Sequence, residues 1–136
     1  MEAIGDEWGF LILRDAFLGI RSFSDFQRRL GVSRNVLAER LRHMVDHQIL
    51  EKRPAKPGGT RLEYRLTERG KALFPVIVSL LQWGDKWCDP DRKGNPMRLT
   101  HSSCGHSLQG QVKCSACDGV LKAREVKFSL GQATLQ

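Results

Sequence analysis

Gly31, Val32 and Ser33 constrain the fold of this chain more than any other stretch. Before them, the segment RSFSDFQRRLG offers Ser22 as a helix cap, with Asp25 in the first turn to complement the helix dipole, and Gly31 as the stop. Phe23, Phe26 and Leu30 fall on one face of that helix. After them, Ser33 caps a second helix in VSRNVLAERLRHMVDHQILEKR, where Val36, Leu37, Leu41, Met44 and Val45 form an apolar stripe that ends near His47. A connection of about three residues forces the two helices to meet at an angle.

The flanking segments extend this unit. Residues 4–18, IGDEWGFLILRDAFL, carry Trp8, Leu11, Ile12, Asp15 and Leu18 at helical spacing and predict a buried helix with no clear cap before it. Two strands, Ile49–Arg53 and Arg61–Leu66, are predicted around a connection rich in Pro54, Pro57, Gly58 and Gly59. Thr67 then caps a long helix, TERGKALFPVIVSLLQWGDKW, apolar on nearly every side, in which Pro75 predicts a bend near Lys71–Phe74. A polar break at 88–96 precedes short strand-like pieces, MRLTH, QVKCS and VLKAREVKF, with a frayed tail after Phe128. Cys88, beside Trp87, reads as a packed thiol. No internal repeat is visible in the letters. The expected class is α+β, divided into 1–88, a linker at 89–96, a small β module at 97–130 and a tail at 131–136.

A chain of 136 residues with 40% hydrophobic and 27% charged residues suits one compact domain with an appendage, and argues against wholesale disorder. No apolar run approaches the roughly 18 residues of a membrane span, and MEAIGDEWGF lacks a basic leader, so a cytoplasmic protein is expected. Its net charge of +7 is concentrated: residues 20–65 hold eleven Lys or Arg against five Asp or Glu. Such a patch points to a polyanionic partner. An enzyme is not expected, because the chain has no phosphate-cradling glycine loop, no G-x-S-x-G and no H-E-x-x-H.

Helix, helix, short turn, helix and a two-stranded wing with a basic tip is the order of a winged helix-turn-helix domain. A helix fits the major groove of B-DNA, and the helix opened by Ser33 is the candidate for that position. With Leu37, Leu41 and Met44 turned inward, Asn35, Glu39, Arg42 and Asp46 turn outward, flanked by Arg34, Ala38 and His43. Asn35 suits adenine and Arg42 suits guanine, while Glu39 accepts from cytosine or orients Arg42. Arg21, Arg28 and Arg29 before the turn, and Arg53, Lys56 and Arg61 in the wing, are assigned to phosphates. The rival reading is a winged helix whose basic face binds an acidic protein; binding to DNA alone should combine steep salt dependence with sequence preference.

Three stretches, GDEWGFLILRDAFLGIRSFSDFQRRLG, SRNVLAERLRHMVDHQILEKR and EYRLTERGKALFPVIVSLLQWGDKW, resemble the HxlR-type bacterial transcriptional regulators over about residues 4–87. The resemblance implies a DNA-binding homodimer on a pseudo-palindromic site in double-stranded DNA, with repression the expected output. It also implies that the first and last helices form the dimer interface, with Trp8, Leu11, Ile12, Phe74, Ile77, Leu81 and Trp83 at or beneath it. Several members of that family sense oxidants or electrophiles through a cysteine ahead of the first helix. The chain begins after that point, so this mechanism is not carried over, and a small-molecule or redox effector stays open.

One stretch lies outside the resemblance. His101-x2-Cys104 and Cys114-x2-Cys117, nine residues apart, have the ligand count and paired spacing of a zinc ribbon. No cofactor is required for DNA reading. Three readings stay open for the cluster: a closed structural zinc site, a ribbon that keeps its shape without metal, and a reversible disulfide involving Cys114 and Cys117 or Cys104.

Overall fold

The computed structural model describes residues 3–88, 91 and 97–131. In chain order its helices and strands are α1 (Glu7–Phe17), α2 (Phe23–Leu30), α3 (Arg34–Asp46), β1 (Leu50–Pro54), β2 (Leu62–Leu66), α4 (Glu68–Lys71) and α5 (Phe74–Trp87). The chain divides into two compact units, and the boundary falls within α5, between Ile77 and Val78.

In the first unit α1 does have a cap. Asp6 accepts a hydrogen bond from the Gly9 backbone N–H at 2.6 Å through Oδ1, and its Oδ2 pairs with Arg40 of α3 at 2.8 Å. Reading the helix from Ile4 places Asp6 inside it and so hides its role as the start signal. Ser22 caps α2 as expected, and Gly31 closes it with a left-handed φ of 64°. Ser33 caps α3 by accepting from the Val36 N–H at 3.3 Å. Ile12, Leu13, Phe26, Leu37, Leu41, Met44, Ile49 and Leu50 make the core. Burying a side chain of this size contributes about 1.5–3 kcal/mol, so the α2–α3 angle is fixed by Phe26, Leu37 and Leu41 more than by the turn itself.

Asp15 sits among these apolar groups with 0% exposure. Its two oxygens meet Arg14 at 2.9 Å and Arg29 at 3.1 Å. A charge removed from water must be paired, and this pairing ties α1 to α2.

β1 and β2 pair antiparallel, Leu50 opposite Leu66 and Pro54 opposite Leu62. Lys52 lies over the ring of its cross-strand partner Tyr64, 5.6 Å from the centroid. The Tyr64 N–H donates to the Arg21 carbonyl at 2.8 Å, which fastens the wing to the segment between α1 and α2.

The long helix predicted after Thr67 is two helices. Pro75 has no N–H to return to residue 71, and the chain uses Ala72 and Leu73 as the break before α5 starts. Pro75 thus falls in the first turn of α5, where a missing donor costs nothing. Thr67 caps α4 at 3.0 Å and also donates to the Gln48 carbonyl at 2.5 Å. This draws α4 onto the start of the wing so closely that a Cβ on Gly70 would overlap the Ile49 carbonyl oxygen.

The second unit contains the rest of α5 and the C-terminal segment. The Gln82 side chain donates to the Leu108 carbonyl at 3.2 Å and accepts from the Gly110 N–H at 3.0 Å, clasping that backbone to the helix. The predicted strands are not formed among the described residues. Two isolated bridges, Thr100 with Ser107 and Lys113 with Val120, take their place, and Ala123–Glu125 is a 3₁₀ turn. No described residue of 97–131 is buried, so alternating side chains have no face to cover and no ladder grows. Cys88 is exposed, not packed. Among the described residues no helix is long and apolar enough to cross a membrane.

Gly70→Ala is expected to lower stability by about 1–3 kcal/mol, as overpacking does, despite the better helix propensity of alanine. Thermal denaturation checks this; a rise in melting temperature would contradict the close approach of α4 to Ile49.

Candidate nucleic-acid interface

The eleven residues assigned to DNA, Ser33, Arg34, Asn35, Ala38, Glu39, Arg42, Arg28, Arg29, Arg53, Lys56 and Arg61, are all exposed. Their surroundings divide them. On α3, Leu37, Leu41 and Met44 are buried, which turns Asn35, Ala38, Glu39 and Arg42 to the opposite side. Among the described residues neither Asn35, Glu39 nor Arg42 has a hydrogen-bond or ion-pair partner. Arg34 stacks on Phe23 of α2, 5.0 Å from the ring centroid, so its guanidinium is positioned at the mouth of the helix turn. Ser33 spends its hydroxyl on the cap.

Three of the arginines are engaged by acids. Arg28 pairs with Asp25, Arg29 with Asp15 and Arg53 with Glu51, the last at 2.7 Å. Asp25 is held below the ordinary carboxylate range, first by the Ser22 hydroxyl that donates to it at 2.7 Å and then by the positive charges of Arg28 and Arg61. Lys56 stands in the wing connection without an ion pair among the described residues.

The sequence reading missed Asp6 and Asp15 as organisers of this surface. Asp15 could have been found, since an acid one turn after Ile12 on an apolar helix face must be buried with a cation.

Of the residues set at or beneath a dimer interface, Ile12 and Ile77 are buried within the protomer. Trp8, Leu11 and Leu81 are partly exposed. Phe74 packs against Phe17 with centroids 5.7 Å apart yet keeps an exposed edge, and Trp83 is exposed. Val76, Leu80, Trp83 and Trp87, at intervals of four, three and four, make an exposed apolar stripe along α5.

The candidate ligands form two pairs. His101 Nδ1 lies 3.3 Å from Cys104 Sγ. The backbone N–H groups of Cys117 and Ala116, followed by the Cys117 thiol, hold the Cys114 thiol below its ordinary range. The two pairs are not brought together: among the described residues no three His, Cys, Asp or Glu side chains gather where they could hold one ion.

The angled pair α2–α3, braced by α1 and followed by the paired strands β1 and β2, defines a winged helix-turn-helix fold. The chain belongs to the HxlR-like helix-turn-helix family, whose model matches residues 3–92. It is similar to the uncharacterized HTH-type transcriptional regulator Rv3095 of Mycobacterium tuberculosis, 40% identical over 93% of this chain and 79% of that protein. It is also similar to the HTH-type transcriptional regulator YodB of Bacillus subtilis, 30% identical over 64% of this chain and 79% of that protein. Among solved structures, that of the transcription-factor candidate PA1607 has a TM-score of 0.84 at 38% identity, covering 94% of this chain and 89% of the other. The protein is a helix-turn-helix transcriptional regulator and not an enzyme.

The engaged and unengaged arginines should separate by experiment. Arg29→Ala leaves buried Asp15 with Arg14 alone and should cost about 1–2 kcal/mol, between an exposed pair and a buried one. Arg42→Ala should stay within about 0.5 kcal/mol of the parent. Denaturant melts of both variants check this, and equal effects would refute the division.

Proposed function

We propose that the protein is a homodimeric, sequence-specific DNA-binding repressor in which α3 enters the major groove. The observation that carries the reading is the solvent face of α3, where Asn35, Glu39 and Arg42 stand exposed and unpartnered opposite a buried Leu37–Leu41–Met44 face. Side chains without an intramolecular partner have no ion pair to give up before they meet a base edge. Asn35 suits adenine N6 and N7, Arg42 suits guanine O6 and N7, and Glu39 accepts from cytosine or steers Arg42. Arg34, Lys56 and Arg61 contact phosphates. Arg28, Arg29 and Arg53 are already held by carboxylates that largely offset their charge, so they add less to the attraction of phosphates.

The dimer rests on the α5 stripe. Val76, Leu80, Trp83 and Trp87 are each at least half as exposed as a free side chain or close to it, at 50%, 44%, 57% and 64%. Contiguous apolar surface of this kind marks a protein contact, and a two-fold pairing of one such stripe with its copy is the simplest closed arrangement. A two-fold dimer places its two reading helices on half-sites of a pseudo-palindrome. Occupying such a site within a promoter blocks polymerase, which is the basis for assigning repression.

Arg42→Ala should weaken binding to the selected operator by about 1–3 kcal/mol while leaving the dimer intact; unchanged affinity in a fluorescence titration would remove Arg42 from base reading. Trp83→Glu should shift the protein from dimer to monomer in sedimentation velocity. A dimer that persists would place the interface elsewhere than on the α5 stripe.

A further inference from the structure

The C-terminal unit contains the same turn twice. Thr100 bridges Ser107, and Lys113 bridges Val120. The His101 N–H donates to the His106 carbonyl at 2.9 Å, and the Cys114 N–H to the Gly119 carbonyl at 2.9 Å. Gly105 N–H returns to the His101 carbonyl at 2.8 Å, and Asp118 N–H to the Cys114 carbonyl at 2.8 Å. Leu108 N–H reaches the Leu99 carbonyl at 2.7 Å, and Leu121 N–H the Val112 carbonyl at 2.9 Å. Even the left-handed residues correspond, Gly105 at φ 71° and Asp118 at φ 59°. Every feature recurs at the His101-to-Cys114 offset of 13 residues. Aligned at that offset, LTHSSCGHSL and VKCSACDGVL share only the Ser, Cys and Leu of 102 and 115, 104 and 117, 108 and 121, which is why the repeat is not evident in the letters.

The repeat puts donors in matching places. His101 corresponds to Cys114, and Cys104 to Cys117. Each turn draws its own two donors together, with Cys104 Sγ 3.3 Å from His101 Nδ1 and the Cys117 thiol within hydrogen-bonding reach of Cys114.

A second observation is independent of these donors. None of the described residues 97–131 is buried, and all four cysteines are free thiols. A segment of this size with no core and no disulfide needs another kind of staple to hold one shape.

We propose that His101, Cys104, Cys114 and Cys117 bind one zinc ion, in a structural site assembled from two equivalent half-sites. Each half supplies two ligands, and a tetrahedral ion takes four, so the ion completes its shell only by joining both turns. Among the described residues the two halves are not gathered within reach of one ion, so the ion would have to draw them together. Three thiols ionise on binding, their protons leave to solvent, the imidazole binds neutral, and no electron is transferred. With three thiolates and one imidazole the shell is closed, which makes the ion a staple without catalytic chemistry.

The test uses the full chain, purified reduced and without chelator, with zinc measured by elemental analysis and Co²⁺ substitution followed optically. One zinc per chain is expected, together with the thiolate-to-cobalt charge-transfer and tetrahedral d–d bands. Cys104→Ser and Cys117→Ser should each weaken Co²⁺ binding by more than about 10-fold, the least that loss of even a supporting group costs. His101→Cys should retain binding with stronger charge transfer, which keeps the test valid if the serine variants misfold. Cys88→Ser, outside both turns, should bind as the parent does. The proposal is overturned by a reduced chain that takes up neither metal. It is equally overturned by a Cys114–Cys117 disulfide whose reduction restores no Co²⁺ binding, or by His101→Ala and Cys104→Ser binding as tightly as the parent.

Discussion

A carboxylate cut off from water is stable only when cations reach it, and Asp15 meets that condition with Arg14 from its own helix and Arg29 from the next. The pairing does more than neutralise a charge. It helps set where α2 lies against α1, and α3 is then placed by the short link Gly31, Val32 and Ser33 together with the packing of Phe26, Leu37 and Leu41. Asp6 repeats the device on a smaller scale, capping α1 with one oxygen and holding Arg40 of α3 with the other. The apolar contacts of Phe26, Leu37 and Leu41 supply most of the energy, and the two acids supply the orientation.

That orientation sorts the basic residues. Arg28, Arg29 and Arg53 lie against acids, whereas Arg42 and Lys56 do not. The concentration of positive charge in residues 20–65 therefore serves two ends, internal bracing and an external field. Only the unengaged side chains of α3 are free to discriminate one base from another, since a guanidinium already shared with a carboxylate must give up that partner first. The apolar stripe on α5 belongs to the same logic, because pairing two copies doubles the number of base edges read without enlarging the domain.

Much of this was legible in the residues. Ser22, Gly31 and Ser33 mark helix ends through side-chain and backbone chemistry that acts within a few residues, and they were located correctly. Pro57, Gly58 and Gly59 likewise announced the turn of the wing, whereas Pro54, expected in the connection, ends β1 opposite Leu62. Pro75 placed the bend, although the chain breaks there instead of kinking, because Thr67 and Gly70 draw α4 towards the start of β1. Arg40 as the partner of Asp6 and Arg29 as the second partner of Asp15 were not legible, since they lie on other helices. Among the candidate ligands, the residues within each pair were legible from x2 spacing, but the sameness of the two turns was not. It lives in backbone hydrogen bonds that only three identical residues accompany.

Whether α3 reads DNA sequence in a two-fold dimer is tested most directly by selection of bound sites from random double-stranded DNA, followed by footprinting at several salt concentrations. The account predicts an enriched pseudo-palindrome whose half-sites lie about one helical turn, roughly 10–10.5 base pairs, apart, or a multiple of it. It also predicts affinity that falls steeply as salt rises. Recovery of no preferred sequence, or of a single unpaired site protected by one protomer, would contradict it.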